Sequence, residues 1–307
     1  MTPPIQLLFS PRWTDYELLD SGNGQKLERF GPFRFNRPEV QALWSPALPV
    51  EAWNSAQAEF IPAGAESGGH WRTRTHIDPS WRMSYPLTLS ATASAGQGGA
   101  LRFSAGMNAG RNLGVFPECA ANWEWMAEIL HAAEHPPRVL NLFGYTGLAS
   151  LVAAACGARV THVDASRRSV NWARENQSLS GLDERPIRWL VDDALKFLQR
   201  EARRGGQYDG ILLDPPKFGR GPQGQVWEIY PGLPGLLQAC RNVLGNDPLF
   251  VILTVYAVKL PAVHAYAALQ EAVKDLGGFL ECGELATQER SAGRTLSQAV
   301  FARWRSG

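Results

Sequence analysis

Residues 139–154 have the sequence VLNLFGYTGLASLVAA. The segment begins as an apolar strand, passes through a turn that contains Gly144 and Gly147, and continues as a helical pattern from about Thr146. Small residues in such a turn let the backbone approach a ligand, and the free N–H groups at the start of the helix face that ligand. The full GxGxxG pattern of dinucleotide-binding proteins is absent. The segment therefore predicts a ligand-binding strand–turn–helix unit of an α/β protein.

The sequence on the carboxyl side of about Pro117 alternates apolar strands with helical patterns of ten or more residues. This alternation is typical of a mainly parallel sheet covered by helices on both faces. Strands are predicted at 138–143, 159–165, 187–193, 208–215, 249–257, 278–286 and 298–305. Helices are predicted at 118–133, 146–155, 167–180, 194–203, 231–244 and 262–276.

The first 110 residues have a different texture. They are rich in Gly, Pro, Ser and Trp, and their short apolar runs are separated by turn residues. We therefore predict two domains. Residues 1–110 form a smaller β-rich region that is a candidate for substrate recognition, and residues 111–307 form the α/β domain.

Composition excludes several classes of protein. The formal net charge of +1 argues against a strongly basic nucleic-acid binder, so any contact with RNA must come from local patches. The four cysteines contain no CxxC pair, and we expect neither a metal site nor a disulfide framework. No window approaches 18 consecutive apolar residues, and the first residues lack the pattern of a secretory signal. We expect a cytoplasmic protein that does not bind membranes.

Acidic residues end the two strands that follow the glycine turn. Asp164 lies about twenty residues after the turn, where a carboxylate can bind both hydroxyls of a ribose. Asp164 can alternatively cap the next helix, although Ser166 is also placed to do so. Asp192 and Asp193 end the third strand, where either can accept a hydrogen bond from an adenine amine or cap the following helix. Because ligands bind at the carboxyl ends of parallel strands, these acids predict a nucleoside site.

The fourth strand runs into the segment ILLDPPKFGR, in which Asp214 is the first polar residue. Pro215 and Pro216 fix φ and lack an N–H, so the carbonyls of this loop can face a substrate amine. Phe218 offers an aromatic face for an unpaired base, a contact worth about 1–3 kcal/mol. Lys217 can meet a phosphate or a base carbonyl, or simply be solvated. The segment predicts a substrate-binding loop beside the nucleoside site.

Four segments in this order resemble the class I S-adenosylmethionine-dependent methyltransferases. They are VLNLFGYTG, VDAS followed by NWARENQSLSGL, VDDALKFL, and ILLDPPKFG. Within that class they are most similar to the bacterial ribosomal RNA large-subunit methyltransferase group. The resemblance covers about residues 110–307. It implies a Rossmann-like seven-stranded sheet with a terminal antiparallel hairpin, S-adenosyl-L-methionine as cofactor, and methyl transfer to RNA.

The resemblance also implies roles for individual residues. The glycine turn would hold the methionine part of the cofactor, and the acids at the strand ends would hold its ribose and adenine. The segment GVFPECAANW would bring Phe116 and Glu118 near the cofactor, and Asn141, where many members have an acid, would contact it through the backbone alone. The implied cofactor residues are Phe116, Glu118, Asn141, Phe143, Gly144, Tyr145, Thr146, Gly147, Asp164, Ala165, Ser166, Asp192, Asp193 and Ala194. The implied catalytic residues are Asp214, Pro215, Pro216, Lys217 and Phe218.

One departure from the family bears on the chemistry. Methylation of C5 of a pyrimidine needs a cysteine thiolate that adds to the ring. Members with this activity carry that cysteine after the fifth strand or after the first proline of the fourth-strand motif, and here those places hold Val255, Tyr256 and Pro216. Cys119, in the segment GVFPECAANW, is interpreted as structural. We therefore predict direct in-line methyl transfer to a nitrogen or oxygen of a base.

Several residues are candidates to face the substrate. The main ones are Arg220, Tyr256 and Arg294. Further arginines lie at 72, 74 and 82, interleaved with Trp71 and Trp81, and at 200, 203, 204 and 290. Tryptophan beside arginine suits single-stranded RNA, but tryptophan in a small β-rich domain also builds a core, and the sequence favours neither decisively.

Three alternatives to an RNA methyltransferase follow from the same sequence. The near-neutral charge also suits a methyltransferase for a protein or a small molecule. A nicotinamide-dependent oxidoreductase has a related sheet, but the missing GxGxxG and the DPPKF segment argue against it. The missing cysteine also leaves open a cofactor-binding RNA or assembly factor that lacks catalysis.

Overall fold

The computed structural model describes residues 3–10, 12–64, 68–87, 99–108, 110–256 and 259–307. The strands are β1 (Ile5–Leu8), β2 (Tyr16–Gly22), β3 (Gln25–Phe30), β4 (Phe33–Pro38), β5 (Ala58–Pro62), β6 (Gly69–Thr73), β7 (Ser80–Pro86), β8 (Ala100–Gly106), β9 (Arg138–Leu142), β10 (Arg159–Asp164), β11 (Ile187–Val191), β12 (Gly210–Leu213), β13 (Phe218–Arg220), β14 (Val226–Glu228), β15 (Phe250–Tyr256), β16 (Phe279–Gln288) and β17 (Thr295–Arg305). The helices are α1 (Val50–Asn54), α2 (Ala120–Ala132), α3 (Leu148–Ala155), α4 (Arg167–Leu179), α5 (Ala194–Arg203), α6 (Ile229–Arg241) and α7 (Ala262–Val273), with a 3-10 turn at Pro117–Cys119.

The central sheet has the strand order β1-β16-β17-β15-β12-β9-β10-β11. Seven of these strands are the ones predicted from the sequence, and β17 pairs antiparallel with β15 and β16, so the predicted methyltransferase-like sheet with its terminal hairpin is confirmed. The last residue of the predicted fifth strand, at position 257, lies outside the described residues. An eighth strand, β1, was not expected. It lies parallel to β16, with Ile5 opposite Cys282, so the first residues of the chain join the carboxyl-terminal hairpin.

The strand order of the sheet reverses between β9 and β12, although these two strands are parallel. Strands β9, β10 and β11 follow one another toward one edge, whereas β12 and β15 lie on the other side of β9. Leu142 and Leu213, the last residues of β9 and β12, are register partners. Such a switch point opens a crevice at the carboxyl ends of the strands. The glycine turn and the DPPKF segment begin directly above this crevice.

The sheet is buried on both faces, which explains why its strands are almost uninterrupted apolar runs. On one face Leu140, Leu142 and Ile211 pack against α5, α6 and α7. On the other face Val139 and Leu212 pack against α2 and α3. No helix of the described residues is long and apolar enough to cross a membrane.

The amino-terminal region forms the five-stranded sheet β2-β3-β4-β5-β6 and the ribbon β7-β8, as expected for a β-rich region. Its aromatic core continues into the α/β part of the chain, since the ring of Tyr85 lies 5.6 Å from that of Trp123 in α2. Trp81, which the sequence assigned either to an RNA surface or to a core, is buried and stacks on Phe35 at 5.3 Å. The division at residue 110 therefore remains a prediction, and across it the two parts share one hydrophobic cluster.

Candidate active site

The turn after β9 has a backbone that few side chains tolerate. Phe143, Tyr145 and Gly147 have φ values of 56°, 50° and 83°, in the left-handed region. A Cβ at Gly144 would lie 2.3 Å from the ring of His162, which explains why this position is glycine. The turn therefore presents backbone rather than side chains at the crevice, directly before α3.

Neutral polar groups support this turn from below. The side-chain amide of Asn141 donates to Ser150 Oγ over 2.9 Å, and that oxygen lies 3.0 Å from His162 Nδ1. Burial lowers the pKa of His162 to about 3, so its imidazole is neutral at physiological pH. The side chain of Asn141 is thus held by the protein itself.

Asp164 at the end of β10 binds the turn directly. Its carboxylate accepts hydrogen bonds from the backbone N–H groups of Tyr145, at 2.9 Å, and of Ser166, at 2.8 Å. Burial raises the pKa of Asp164, and these two bonds oppose that shift. The side chain of Ser166 caps α4 by accepting from Ser169 N, so the cap of this helix is Ser166 and not Asp164.

The two acids at the end of β11 have different partners. Asp193 caps α5, since its carboxylate accepts from the backbone N–H of Lys196 over 2.9 Å. Asp192 forms an ion pair with Arg200, and its own N–H donates to the carbonyl of Asp164 over 3.0 Å. Of these two acids, Asp192 therefore lies next to Asp164 at the end of β10.

A cavity of about 80 Å³ lies above the crevice between β9 and β12. It brings together Phe116, Asn141, residues 143–146 and Asp214, which the sequence placed in one site. It also includes Cys119, which the sequence analysis interpreted as structural, and apolar residues from the sheet such as Leu212 and Ile252, which the sequence did not single out. The described residues hold no group of three or more His, Cys, Asp or Glu side chains that could bind a metal ion.

Asp214 lies at the floor of this cavity beside another acid. Burial raises the pKa of Asp214 to about 8, and the negative charge of Glu118 adds to the shift. The pKa of Glu118 is itself raised by burial, while the positive charges of Lys26 and Arg37 act in the opposite direction. At neutral pH the Asp214 carboxyl is therefore largely protonated.

Cys119 lines the cavity, which the sequence did not anticipate. Its Sγ lies 3.0 Å from Tyr256 Oη, and the Tyr256 ring lies 4.9 Å from that of Phe116. Burial and the charge of Asp214 raise the pKa of Cys119 well above its ordinary value, so the group is a thiol and not a thiolate. Tyr256 thus lies behind the cavity wall and holds this thiol.

The DPPKF segment continues into the small hairpin of β13 and β14. The indole N–H of Trp227 donates to the carbonyl of Pro216 over 2.7 Å, and the Trp227 ring lies 5.6 Å from that of Phe143. Trp227 therefore connects the predicted substrate loop to the glycine turn, a role that the sequence analysis missed. The turn residues GPQG between two short apolar runs were the available signal for a hairpin.

The outer rim of the cavity is aromatic and basic. Phe218 is 57% exposed, and Lys217 Nζ lies 5.3 Å from the centroid of its ring. Arg220 at the end of β13 is exposed on the same hairpin, and Tyr230 at the start of α6 is also exposed. These side chains are available to a substrate that approaches the mouth of the cavity.

Arg294, predicted to face the substrate, lies outside the cavity lining. Its guanidinium donates to Glu289 over 3.2 Å and to the carbonyl of Ser45 over 2.9 Å, and it covers the ring of Trp44. None of these partners lines the cavity. Through these hydrogen bonds Arg294 joins the carboxyl-terminal hairpin to the amino-terminal region.

Two comparisons cover most of the chain. The model of a family described as S-adenosylmethionine-dependent methyltransferase matches residues 13–270. The crystal structure of a SAM dependent methyltransferase from Agrobacterium tumefaciens is 42% identical, covers 99% of this chain and 96% of that chain, and has a TM-score of 0.90.

Two curated relatives match a shorter part. Ribosomal RNA large subunit methyltransferase I of Klebsiella pneumoniae (strain 342) is 43% identical over 82 residues, which are 26% of this chain and 20% of that protein. Ribosomal RNA large subunit methyltransferase K/L of Cellvibrio japonicus (strain Ueda107) is 50% identical over 82 residues, 26% of this chain and 10% of that protein. The similarity thus spans a fifth or less of the length of these relatives.

Proposed function

The chain belongs to the family of S-adenosylmethionine-dependent methyltransferases, and from this premise we propose that it methylates a base of ribosomal RNA. The observation that carries the proposal is the rim of the cavity. Phe218 and Lys217 are placed for an unpaired base and its phosphate directly after Asp214, which lies in the same cavity as the glycine turn. The names of the two curated relatives support ribosomal RNA as the substrate class.

The residues of the cavity fit the cofactor. The left-handed turn at 143–147 offers backbone groups for the methionine part. Asp164 supplies a carboxylate for the ribose, and Asp192 lies next to it for the adenine. S-adenosylmethionine, when bound, supplies an electrophilic methyl group on a sulfonium sulfur. Phe116, Glu118 and Ala194 would complete the surroundings.

Asp214 would act on the acceptor. In its ionised form the carboxylate accepts a hydrogen bond from an N–H of the target base, and it takes the proton that this nitrogen loses as the new C–N bond forms. Because the carbonyl of Pro216 already accepts from Trp227, the acceptor amine is directed to Asp214 and to the carbonyl of Pro215. The main contribution of the protein is to align the acceptor with the methyl group.

The thiol of Cys119 takes no part in this reaction. A covalent route through C6 of a pyrimidine requires a thiolate, and the raised pKa of Cys119 keeps this group protonated. The proposal is therefore direct in-line transfer to a nitrogen of the base.

Nucleoside mass spectrometry of ribosomal RNA from a strain that lacks the gene tests the proposal. We expect one methylated nucleoside to disappear, to return with the wild-type gene, and to stay absent with the Asp214→Ala variant. Unchanged modification in the deletion strain would rule out ribosomal RNA as the substrate. Calorimetry should show that Asp214→Ala still binds S-adenosylmethionine, so that the loss is assigned to the chemical step.

A further inference from the structure

A second groove lies at the opposite end of the sheet from the candidate active site. It is an open groove of about 520 Å³ at the amino ends of β9, β10 and β11, and it also contacts the end of α5 and the segment that follows it. Along β10 the distance from Arg159 to Asp164 is five residues, or about 17 Å at about 3.3 Å per residue. The groove therefore cannot be part of the cofactor cavity.

Three arginines from three adjacent strands line this groove. Arg138 and Arg159 are the first residues of β9 and β10 and are direct register partners. Arg188 is the second residue of β11 and lies opposite Thr161 of β10. Since neighbouring strands are about 4.8 Å apart, the row of guanidinium-bearing positions extends across about 10 Å.

The nearby carboxylates do not neutralise this row. Asp209 Oδ1 lies 3.4 Å from the guanidinium of Arg138. Glu201 is shared, with Oε1 at 3.9 Å from Arg188 and at 3.7 Å from Arg204. The three arginines of the row and the neighbouring Arg204 therefore carry four positive charges, against two negative charges on Asp209 and Glu201.

Arg159 is the least satisfied member of the row. Among the described residues its guanidinium has no hydrogen bond and no ion pair, although it lies beside Arg138. Like charges placed directly opposite each other on neighbouring strands destabilise a sheet. The exposed guanidinium of Arg159 is therefore available to an anion.

We propose that this groove binds the phosphate backbone of the RNA substrate, away from the methylated base. A row of about 10 Å is longer than one phosphate group, so repeated phosphates along a chain match it better than a single inorganic anion does. Arginine suits this task because its planar guanidinium can donate two parallel hydrogen bonds to a phosphate. The exposed Arg203 and Arg204 at the end of α5 extend the positive surface from the groove.

The inference rests on the proposed function in one respect, namely that the substrate is RNA. It accounts for how a protein of net charge +1 holds a polyanion, since the groove provides a local cluster of arginines. It also assigns two parts of RNA recognition to opposite ends of the sheet. One end recognises the base and the other end holds the backbone.

The double variant Arg159→Gln/Arg188→Gln tests the inference. Protein-free large-subunit ribosomal RNA from the deletion strain is the probe, and its affinity is measured at several salt concentrations. Each lost phosphate contact lowers the slope of log K against log salt by about 0.7–0.9, so we expect a total loss of about 1.4–1.8. The KM for RNA should rise roughly tenfold with kcat and the affinity for S-adenosylmethionine unchanged, because the cavity is not touched.

The matched control is Arg34→Gln/Arg174→Gln, which removes two exposed arginines of the amino-terminal sheet and of α4. It changes the net charge equally. An equal decrease in the slope of log K against log salt in both variants would show that the effect comes from net charge and would overturn the inference of a local site. Inorganic phosphate is the second probe. If the groove variant loses affinity for phosphate but keeps the RNA slope of the wild type, the groove is a small-anion site and the RNA inference is wrong.

The two proposals can fail separately. A wild-type protein that does not methylate RNA, but whose RNA binding still depends on the groove arginines, would remove the proposed function and support the groove. A wild-type protein that methylates RNA, with a groove variant of unchanged KM and slope, would support the function and remove the groove.

Discussion

At the scale of single residues, four titratable groups with raised pKa values lie in the cavity or close to it. Burial raises the pKa values of Asp214, Glu118, Cys119 and Tyr256. Each ionised group would oppose the ionisation of the others, since like charges in a poorly solvated space disfavour one another. The pKa of Asp214, about 8, lies close to physiological pH.

The ionisation of Asp214 predicts the pH dependence of methyl transfer. Because the carboxylate form accepts the proton of the base, kcat should rise with pH through a midpoint near 8 and level off above it. Asp214→Asn should abolish this rise of kcat with pH and lower kcat by about 10²–10⁴-fold. Single-turnover rates between pH 6 and 10 measure both effects. A wild-type rate that is flat over this range would contradict the assignment of Asp214 as the base.

Stability provides the control for that variant. Between the ordinary pKa of about 3.8 and the raised pKa of about 8, native Asp214 keeps a proton that the unfolded chain has lost. The stability of the wild type therefore falls as pH rises through this window. Asp214→Asn has no carboxyl group at this position and does not lose this stability. The difference between its Tm and that of the wild type should therefore increase from pH 5 to pH 9. A lower Tm at every pH would mean that the lost activity reflects unfolding.

At the scale of elements, the β13–β14 hairpin links the two loops of the site. Trp227 binds the carbonyl of Pro216 and packs on Phe143. A Cβ added to Gly221, in the hairpin turn, would lie 2.9 Å from Asp193 Oδ2, so the turn also comes close to the end of β11. The hairpin therefore touches the site at the ends of β9, β11 and β12.

Two substitutions at Trp227 separate its hydrogen bond from its packing. Trp227→Phe removes the bond to Pro216, worth about 1 kcal/mol, and keeps an aromatic ring near Phe143, so kcat should fall about fivefold with cofactor affinity unchanged. Trp227→Ala also removes the ring that supports Phe143, and we expect the affinity for S-adenosylmethionine to fall about tenfold as well. Calorimetry and steady-state kinetics measure the two effects. Tyr230→Phe, which keeps an exposed ring at the rim, is the control and should leave cofactor affinity unchanged.

Local patterns predicted some elements and not others. The spacing from the glycine turn to Asp164 was predictable because a strand, a turn and a helix are encoded in consecutive residues. The contacts of Trp227 and Cys119 were not, because they depend on how a hairpin and a lead-in segment fold back onto distant strands. The contacts of Arg294 were not predictable for the same reason, since Ser45 lies 249 residues away in sequence.

At the scale of the whole molecule, the sequence predicted the central sheet but not how the amino-terminal region is joined to it. The alternation of strands and helices is a property of neighbouring residues, whereas the pairing of β1 with β16 joins residues about 277 positions apart. The texture change near residue 110 suggested two domains. The shared aromatic core and the polar contacts around Asp20 instead connect both parts.

This connection predicts that the protein unfolds as one cooperative unit. The buried carboxylate of Asp20 accepts hydrogen bonds from Leu48 N, at 2.8 Å, from Trp53 Nε1, at 2.9 Å, and from Ser291 Oγ, at 2.7 Å, so it joins the amino-terminal region to the segment after β16. Asp20→Ala removes the acceptor of Leu48 N and Trp53 Nε1, while Ser291 Oγ keeps its bond to Glu289, and we expect the free energy of unfolding to fall by about 2–3 kcal/mol. Because the core is continuous, urea unfolding followed by tryptophan fluorescence and by far-UV circular dichroism should remain a single coincident transition. Asp78→Ala, at an exposed carboxylate, is the control. Two separate transitions in the wild type, of which Asp20→Ala shifts only one, would instead establish residues 1–110 as an independent domain.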